Sequence, residues 1–323
     1  MQLSTLQLVT RTFYDVQDVR KKAENRVYSM KRDLVLPFLD TKVDKMNKDF
    51  VVDKYNELKP SLPMDKIVEV QLVETEVFGR NYSTENALAK LIVDDITQQP
   101  LYTEWIKYVY NVDCILTAAL ISEIMDIGRF STISKLWQYA GYGVMNIVKD
   151  NGIVKLWYPT QQEAIGFMTH ATDLEQATAE KWGRDYDNES KMSEYLSRCI
   201  WGLRYNYQVV ASKRLSGLPY LCNADLKVAG WKIAQQFQRS SPDKSKYRQY
   251  YDHQKEYYTK KFEGERDKGH INNMTLRKAT KLFLSHVWTQ WRKLEGLPLS
   301  KPYCIEHLDH QDYIEPFYDK EIE

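Results

Sequence analysis

The chain has 323 residues, 43% of them apolar and 28% charged, which suits two or three domains with real cores and excludes a disordered chain. No apolar run approaches the ~20 residues of a membrane-crossing helix, and the N-terminal stretch turns charged too early for a secretory signal. The formal net charge of +1 names no anionic partner, but the sign is segregated: basic residues gather at 20–32 and 227–281, acidic ones at 65–95 and in the C-terminal tail.

In chain order, residues 2–33 read as one long helix. Leu3, Leu6, Val9, Phe13, Val16, Val19, Ala23, Val27 and Met30 recur at spacings of three and four. The polar side carries Arg20, Lys21, Lys22, Arg26, Lys31 and Arg32, and Pro37 ends the helix. Such a helix packs in a bundle or zips against a partner helix. A polar stretch with Pro60 and Pro63 reads as loop. IVEVQLVETEVFG at 67–79 alternates apolar and polar residues, many β-branched, and is the best strand candidate in the chain. STENALAKLIVDDI reads as a helix opened by Ser83 in a capping box.

From residue 100 the pattern is mostly helical. PLYTEWIKYVYNV, CILTAALISEIMDI and TISKLWQYAG form successive helices, and 146–192 is polar and irregular, an insertion. Residues 191–212 read as helical. NADLKVAGWKIAQQFQR is a helix with Asn223 as N-cap, KSKYRQYYDHQKEYYTKKF a long polar helix, and INNMTLRKATKLFLSHVWTQWRKLEG an amphipathic helix stopped by Gly296 and Pro298. The tail from 301 is extended. The expected fold is therefore mainly α, with at most a small β element near 67–79. Its segments are a long basic helix at 1–36, a connecting region at 37–99, a helix-hairpin-helix region at 100–145, the insertion, and a helical region with tail at 193–323.

Four cysteines lie far apart, which fits a reducing, cytoplasmic setting and no disulfide framework. WIKYVYNVDCILTAALISEIMDIGRFSTISKLWQYAGYG reads as two helix–turn–helix units in tandem, with turns at Asn111–Asp113 and Ala140–Gly143. Amides at a short turn before a helix bind phosphate, and Gly141 and Gly143 let a backbone approach; the plainer reading is an αα-hairpin with a glycine cap. Asp113 weakens the first turn as an anion site. No Walker or dinucleotide motif is present.

Tyr247, Tyr250, Tyr251, Tyr257 and Tyr258 stripe one helix among Lys244, Lys246, Arg248, Lys255, Lys260 and Lys261. The stripe is either a half-buried seam or a face for RNA, with lysines on phosphates and tyrosines on bases. Cys304, His307 and His310 have zinc-like spacing but lack an obvious fourth ligand, so no metal is expected. Ser212 and Ser216, beside Lys213 and Arg214, are loop serines near phosphate-binding cations or, alternatively, a nucleophile for a phosphodiester. No carboxylate nuclease core on strand ends is visible.

LTAALISEIMDIGRFSTISKLWQYAGYG, NADLKVAGWKIAQQF and GHINNMTLRKATKLFLSHVW resemble consecutive segments of the C-terminal domain of bridge-RNA-guided insertion-sequence transposases. RKKAENRVYSMKRDLVLP is similar to the basic helix preceding that domain, and KPYCIEHLDH resembles the tail of the Tas proteins of tandem interspaced guide RNA systems. That family is linked to the Nop domain, a helical RNA-binding module. The resemblance covers 1–35 and 100–317. It implies a Nop-like, prokaryotic or phage-encoded protein that binds a short guide RNA and pairs it with target DNA, acts as a homodimer, and needs no cofactor. With no room for a RuvC or HNH domain, the chain is similar to the nuclease-less members, which leaves room for a separate nuclease partner. The alternatives are a serine-dependent transposase and a guide-free binder of branched DNA. Residues expected to contact RNA or DNA are Lys135, Gly141, Gly143, Lys213, Arg214, Asn223, Lys227, Lys232, Lys246, Arg248, Tyr250, His270, Asn272, Arg277, Lys278 and Lys281.

Overall fold

The computed structural model describes residues 1–39, 47–150, 153–156, 208–211, 222–299 and 314–320. These are mostly helical, as the periodicity predicts, and fall into two compact units: Met1–Met125 with Tyr318–Glu323, and Asp126–Phe317. Among the described residues no helix is long and apolar enough to cross a membrane.

The first unit is built around α1 (Leu3–Val35), which packs against α2 (Lys48–Leu58), α4 (Arg80–Ile96) and α6 (Cys114–Ile124). Leu6, Phe13, Ala23, Val27 and Val35 are buried along it, as the three-and-four spacing requires. Val19 is exposed instead, because a straight helix drifts away from a strict heptad. Every residue of α6 from Leu116 to Ile124 is buried. The carboxylate of Glu123 accepts from Arg11 at 2.8 and 2.9 Å and from Gln7 at 3.1 Å, which offsets the cost of burying it. The basic side of α1 is only partly free. Arg20 is bonded to Glu85 and buried Lys31 to Glu74, while Lys21, Lys22 and Arg26 stay exposed.

The strand expected at 67–79 does not form. Residues Met64–Leu72 make α3, a π-helical stretch follows at Val73–Gly79, and α4 continues from it without a break. Ile67 and Val70 are three apart and both buried, clustered with Val27, Val35 and Tyr55. That packing outweighs the β preference of the segment, which is worth ~1 kcal/mol at most per residue. Ser83 lies inside a helix already running and caps nothing.

The helix expected over 100–112 is broken. α5 (Pro100–Glu104) ends at the fully buried Trp105, whose backbone, at φ −143° and ψ −59°, leaves the helix, and a 3₁₀ turn at Ile106–Tyr108 follows. The C-terminal residues of this unit fasten onto that turn. Asp319 accepts from the Tyr110 amide at 2.8 Å, and the amides of Asp319 and Lys320 donate to Tyr108 O.

The second unit contains α7 (Ile133–Tyr139), α8 (Ala224–Arg239), α9 (Lys246–Lys261) and α10 (Lys268–Leu294). It also holds a three-stranded antiparallel sheet in the order β2-β1-β3, with β1 at Val144–Asp150, β2 at Ile153–Leu156 and β3 at Gln208–Ala211. Ile147 pairs with Leu156 on one side and Gln208 on the other. The irregular insertion thus opens with a strand pair, and 208–211 is strand rather than helix.

Tyr247 stacks on Phe237 at 4.3 Å and meets Phe283 and Phe317 edge-on. Its hydroxyl lies 2.6 Å from His286 Nδ1, and His286 Nε2 lies 2.9 Å from Ile314 O. At the other end of α10, buried Arg292 donates to Pro298 O, Ile127 O and Phe130 O, and Trp288 Nε1 donates to Phe130 O.

Two stability outcomes follow from this packing. A Cβ at Gly230 would sit 2.8 Å from Thr280 Cγ2 and 3.2 Å from the Tyr142 ring, so Gly230→Ala should cost about 1–3 kcal/mol by overpacking, read as a lowered denaturation midpoint. Burial depresses His286 to about 4, against a smaller opposing pull from its bond to Ile314. Below about pH 6.5 the unfolded chain takes the proton first, so stability should fall by about 3 kcal/mol between pH 6.5 and pH 4. Chemical denaturation across that range should show the loss, with a flatter profile in His286→Gln.

Candidate nucleic-acid interface

The second unit carries the basic surface, and its helices explain why. α10 has 27 residues, KGHINNMTLRKATKLFLSHVWTQWRKL, with no carboxylate among them. At 100° per residue, His270, Arg277, Lys278 and Lys281 fall on one face of its N-terminal half. α9 contributes Lys246, Arg248, Lys255, Lys260 and Lys261 against Asp252 and Glu256.

The turn after α7 does not offer the free amides expected of a phosphate site. Its amides are consumed in ending the helix: Gly141 N donates to Gln138 O at 3.1 Å, and Tyr142 N and Gly143 N to Trp137 O at 2.8 and 2.9 Å. Gly141 has φ +72° and is buried, and a Cβ there would meet Cys222 Sγ at 2.7 Å. The chain then enters β1, so the second helix-hairpin-helix is a helix–turn–strand. In the first, Asp113 occupies the anion position itself, accepting from Leu116 N at 2.8 Å.

Several expected contacts hold the fold together. Arg277 donates to Tyr142 O and Gly143 O at 2.6 and 2.5 Å, and burial lowers its pKa. Lys281 sits 4.0 Å from the Trp137 ring, and its carbonyl accepts from Trp137 Nε1. Arg248 pairs with Asp252 and donates to Gln238 O and Ser240 O at the end of α8. Asn272 Oδ1 accepts from Gln238 and Tyr251. Asn223 caps α8, accepting from Leu226 N while its Nδ2 donates to the Tyr139 hydroxyl at 3.1 Å. Half-buried Lys227 gives its carbonyl to Tyr142 OH at 2.7 Å. Lys232 is also half-buried.

The tyrosine stripe divides. Tyr247 and Tyr251 are core, and burial raises the hydroxyl pKa of Tyr250. Tyr257 is about half exposed, with Lys261 over its ring. Lys213, Arg214, Ser212, Ser216, Cys304, His307 and His310 lie outside the described residues.

The outward cations include Lys135, Lys246, His270 and Lys278 from the expected set, joined among others by Arg129, Arg239, Lys255, Arg266 and Lys268. Lys278, Lys268, Arg266 and Arg239 have no carboxylate partner among the described residues. Sequence reasoning missed these last three because they sit at helix ends or in a turn rather than repeat along one helix face; the readable signal was the run without acid from Lys268 to Leu294. Comparison with models of known families, with curated proteins and with solved structures finds no match.

The division is testable by stability. Arg277→Ala leaves two carbonyls without their partner and should lower the thermal midpoint by the equivalent of about 1–3 kcal/mol, whereas Lys278→Ala should stay within about 0.5 kcal/mol of the unaltered protein.

Proposed function

We propose that the protein binds a guide RNA through the exposed cations of α9 and α10, that the RNA selects target DNA by base pairing, and that cutting, where it occurs, falls to another protein. The observation that carries the reading is α10: a helix long enough to track several phosphates, with no carboxylate to repel them. Lys268, His270 and Lys278 are exposed on it, with Lys255 and Arg266 on the neighbouring helix and turn. Side chains that contact phosphate position a strand without reading its sequence, and base pairing would supply the selection. The resemblance to nuclease-less Tas proteins supports the same reading. The grip is assigned to this helical surface and not to the Gly141–Gly143 turn.

The experiment is to purify the protein at low salt, sequence any RNA it retains, and titrate that RNA at several salt concentrations. A discrete short RNA species is expected. Lys268→Ala with Lys278→Ala should weaken binding and flatten the salt dependence by about 0.7 per lost single-strand phosphate contact. Protein that is free of RNA at low salt and does not bind added RNA would overturn the proposal. Junction DNA binding that survives RNase treatment would replace it with the guide-free reading.

A further inference from the structure

Arg129 is an exposed cation whose surroundings prepare it for one kind of ligand. It closes the 3₁₀ turn Ile127–Arg129, where the Asp126 carboxylate accepts from Gly128 N at 2.7 Å. The next residue, Phe130, is buried, and its carbonyl is held by Trp288 Nε1 at 2.7 Å and Arg292 at 3.2 Å. The backbone beneath Arg129 is therefore tied to α10. The guanidinium carbon lies 5.4 Å from the centre of the Phe130 ring and 5.1 Å from that of Tyr139. Those rings are themselves 5.2 Å apart and tilted by 47°. Tyr139 is fixed in turn by Asn223 Nδ2, which donates to its hydroxyl.

Among the described residues, no acceptor takes the guanidinium N–H groups. Asp126, the one carboxylate on the 126–139 stretch, is committed to the Gly128 amide. Lys135, six residues on, is exposed and bonded only to the neutral Ser131 hydroxyl, at 2.8 Å. Among the described residues neither Arg129 nor Lys135 pairs with a carboxylate.

We infer that Arg129 is a phosphate subsite for one nucleotide of the strand bound by the second unit; this rests on the proposed function. Both rings lie to one side of the guanidinium, since their centres are as close to each other as to it, and the rest of the exposed group is left to a ligand. The free N–H edge matches two oxygens of a phosphodiester, the bidentate geometry that lysine cannot reproduce. The two rings restrict the fork from one side before the ligand arrives, which reduces the side-chain freedom lost on binding.

The test is fluorescence anisotropy with a short labelled single-stranded RNA, read across salt concentrations for the unaltered protein, Arg129→Ala, Arg129→Lys and Lys278→Ala. Arg129→Ala should weaken binding about tenfold and reduce the salt slope by about 0.7, with an unchanged thermal midpoint. Arg129→Lys should restore the slope but not the full affinity. If Lys278→Ala weakens binding while Arg129→Ala matches the unaltered protein, the subsite is overturned and the proposed function stands. If Arg129→Ala weakens binding without changing the slope, Arg129 does not hold a phosphate. If the unaltered protein does not bind RNA, both ideas fall together.

Discussion

The second unit depends on the close approach of α8 to α10 at Gly230. With no side chain there, Thr280 and the Tyr142 ring fill the crossing, and Thr280 Oγ1 comes within 3.4 Å of Gly230 O. Tyr142 can then lie buried with its hydroxyl on Lys227 O, and burial pushes that hydroxyl's pKa up. From α10, Arg277 reaches the carbonyls of residues 142 and 143 only because Tyr142 is seated this way. The exit of the chain from α7 into β1 is thus set by a spacing that only glycine permits. A wider crossing would release the turn, and with it the rail on which the outer cations of α10 stand.

Much of this was legible in the sequence. The three-and-four spacing placed α1 to within two residues of its observed ends, Asn223 did cap α8, and Gly296, with φ +65°, did stop α10. What failed failed for nonlocal reasons. At 67–79 the alternation was real, but Ile67 and Val70 had α1 to pack against and Glu74 had Lys31 to bond, and local preference cannot anticipate either. Gly141 takes the positive φ that glycine permits, but whether its neighbours' amides were free depended on the carbonyls of α7. Composition likewise could not say which tyrosines of α9 faced α8 and α10.

The site shows the same limit in how its cations divide between inward and outward positions. Arg248, Arg277 and Arg292 turn inward and spend their forked donors on backbone carbonyls, several of them at helix ends or turns. A guanidinium suits that task because it bridges two carbonyls and is less strongly hydrated than an ammonium. Arg129, Arg239 and Arg266 are exposed, as are lysines 135, 246, 255, 268 and 278. A count of positive charge therefore overstates the surface open to an anion, and the absence of acid along α10 is the better guide.

The Tyr247–His286–Ile314 line has a directional consequence. A carbonyl oxygen can only accept, so His286 Nε2 must hold the ring's proton, Nδ1 must be bare, and the Tyr247 hydroxyl must point toward it. The order of donors runs one way, from tyrosine through imidazole to main chain. A substitute at 286 would have to receive at one end and give at the other over the same span. An amide side chain has that polarity, whereas a hydrocarbon of equal bulk would strand both neighbours, so hydrogen-bond direction rather than size governs what this position can hold.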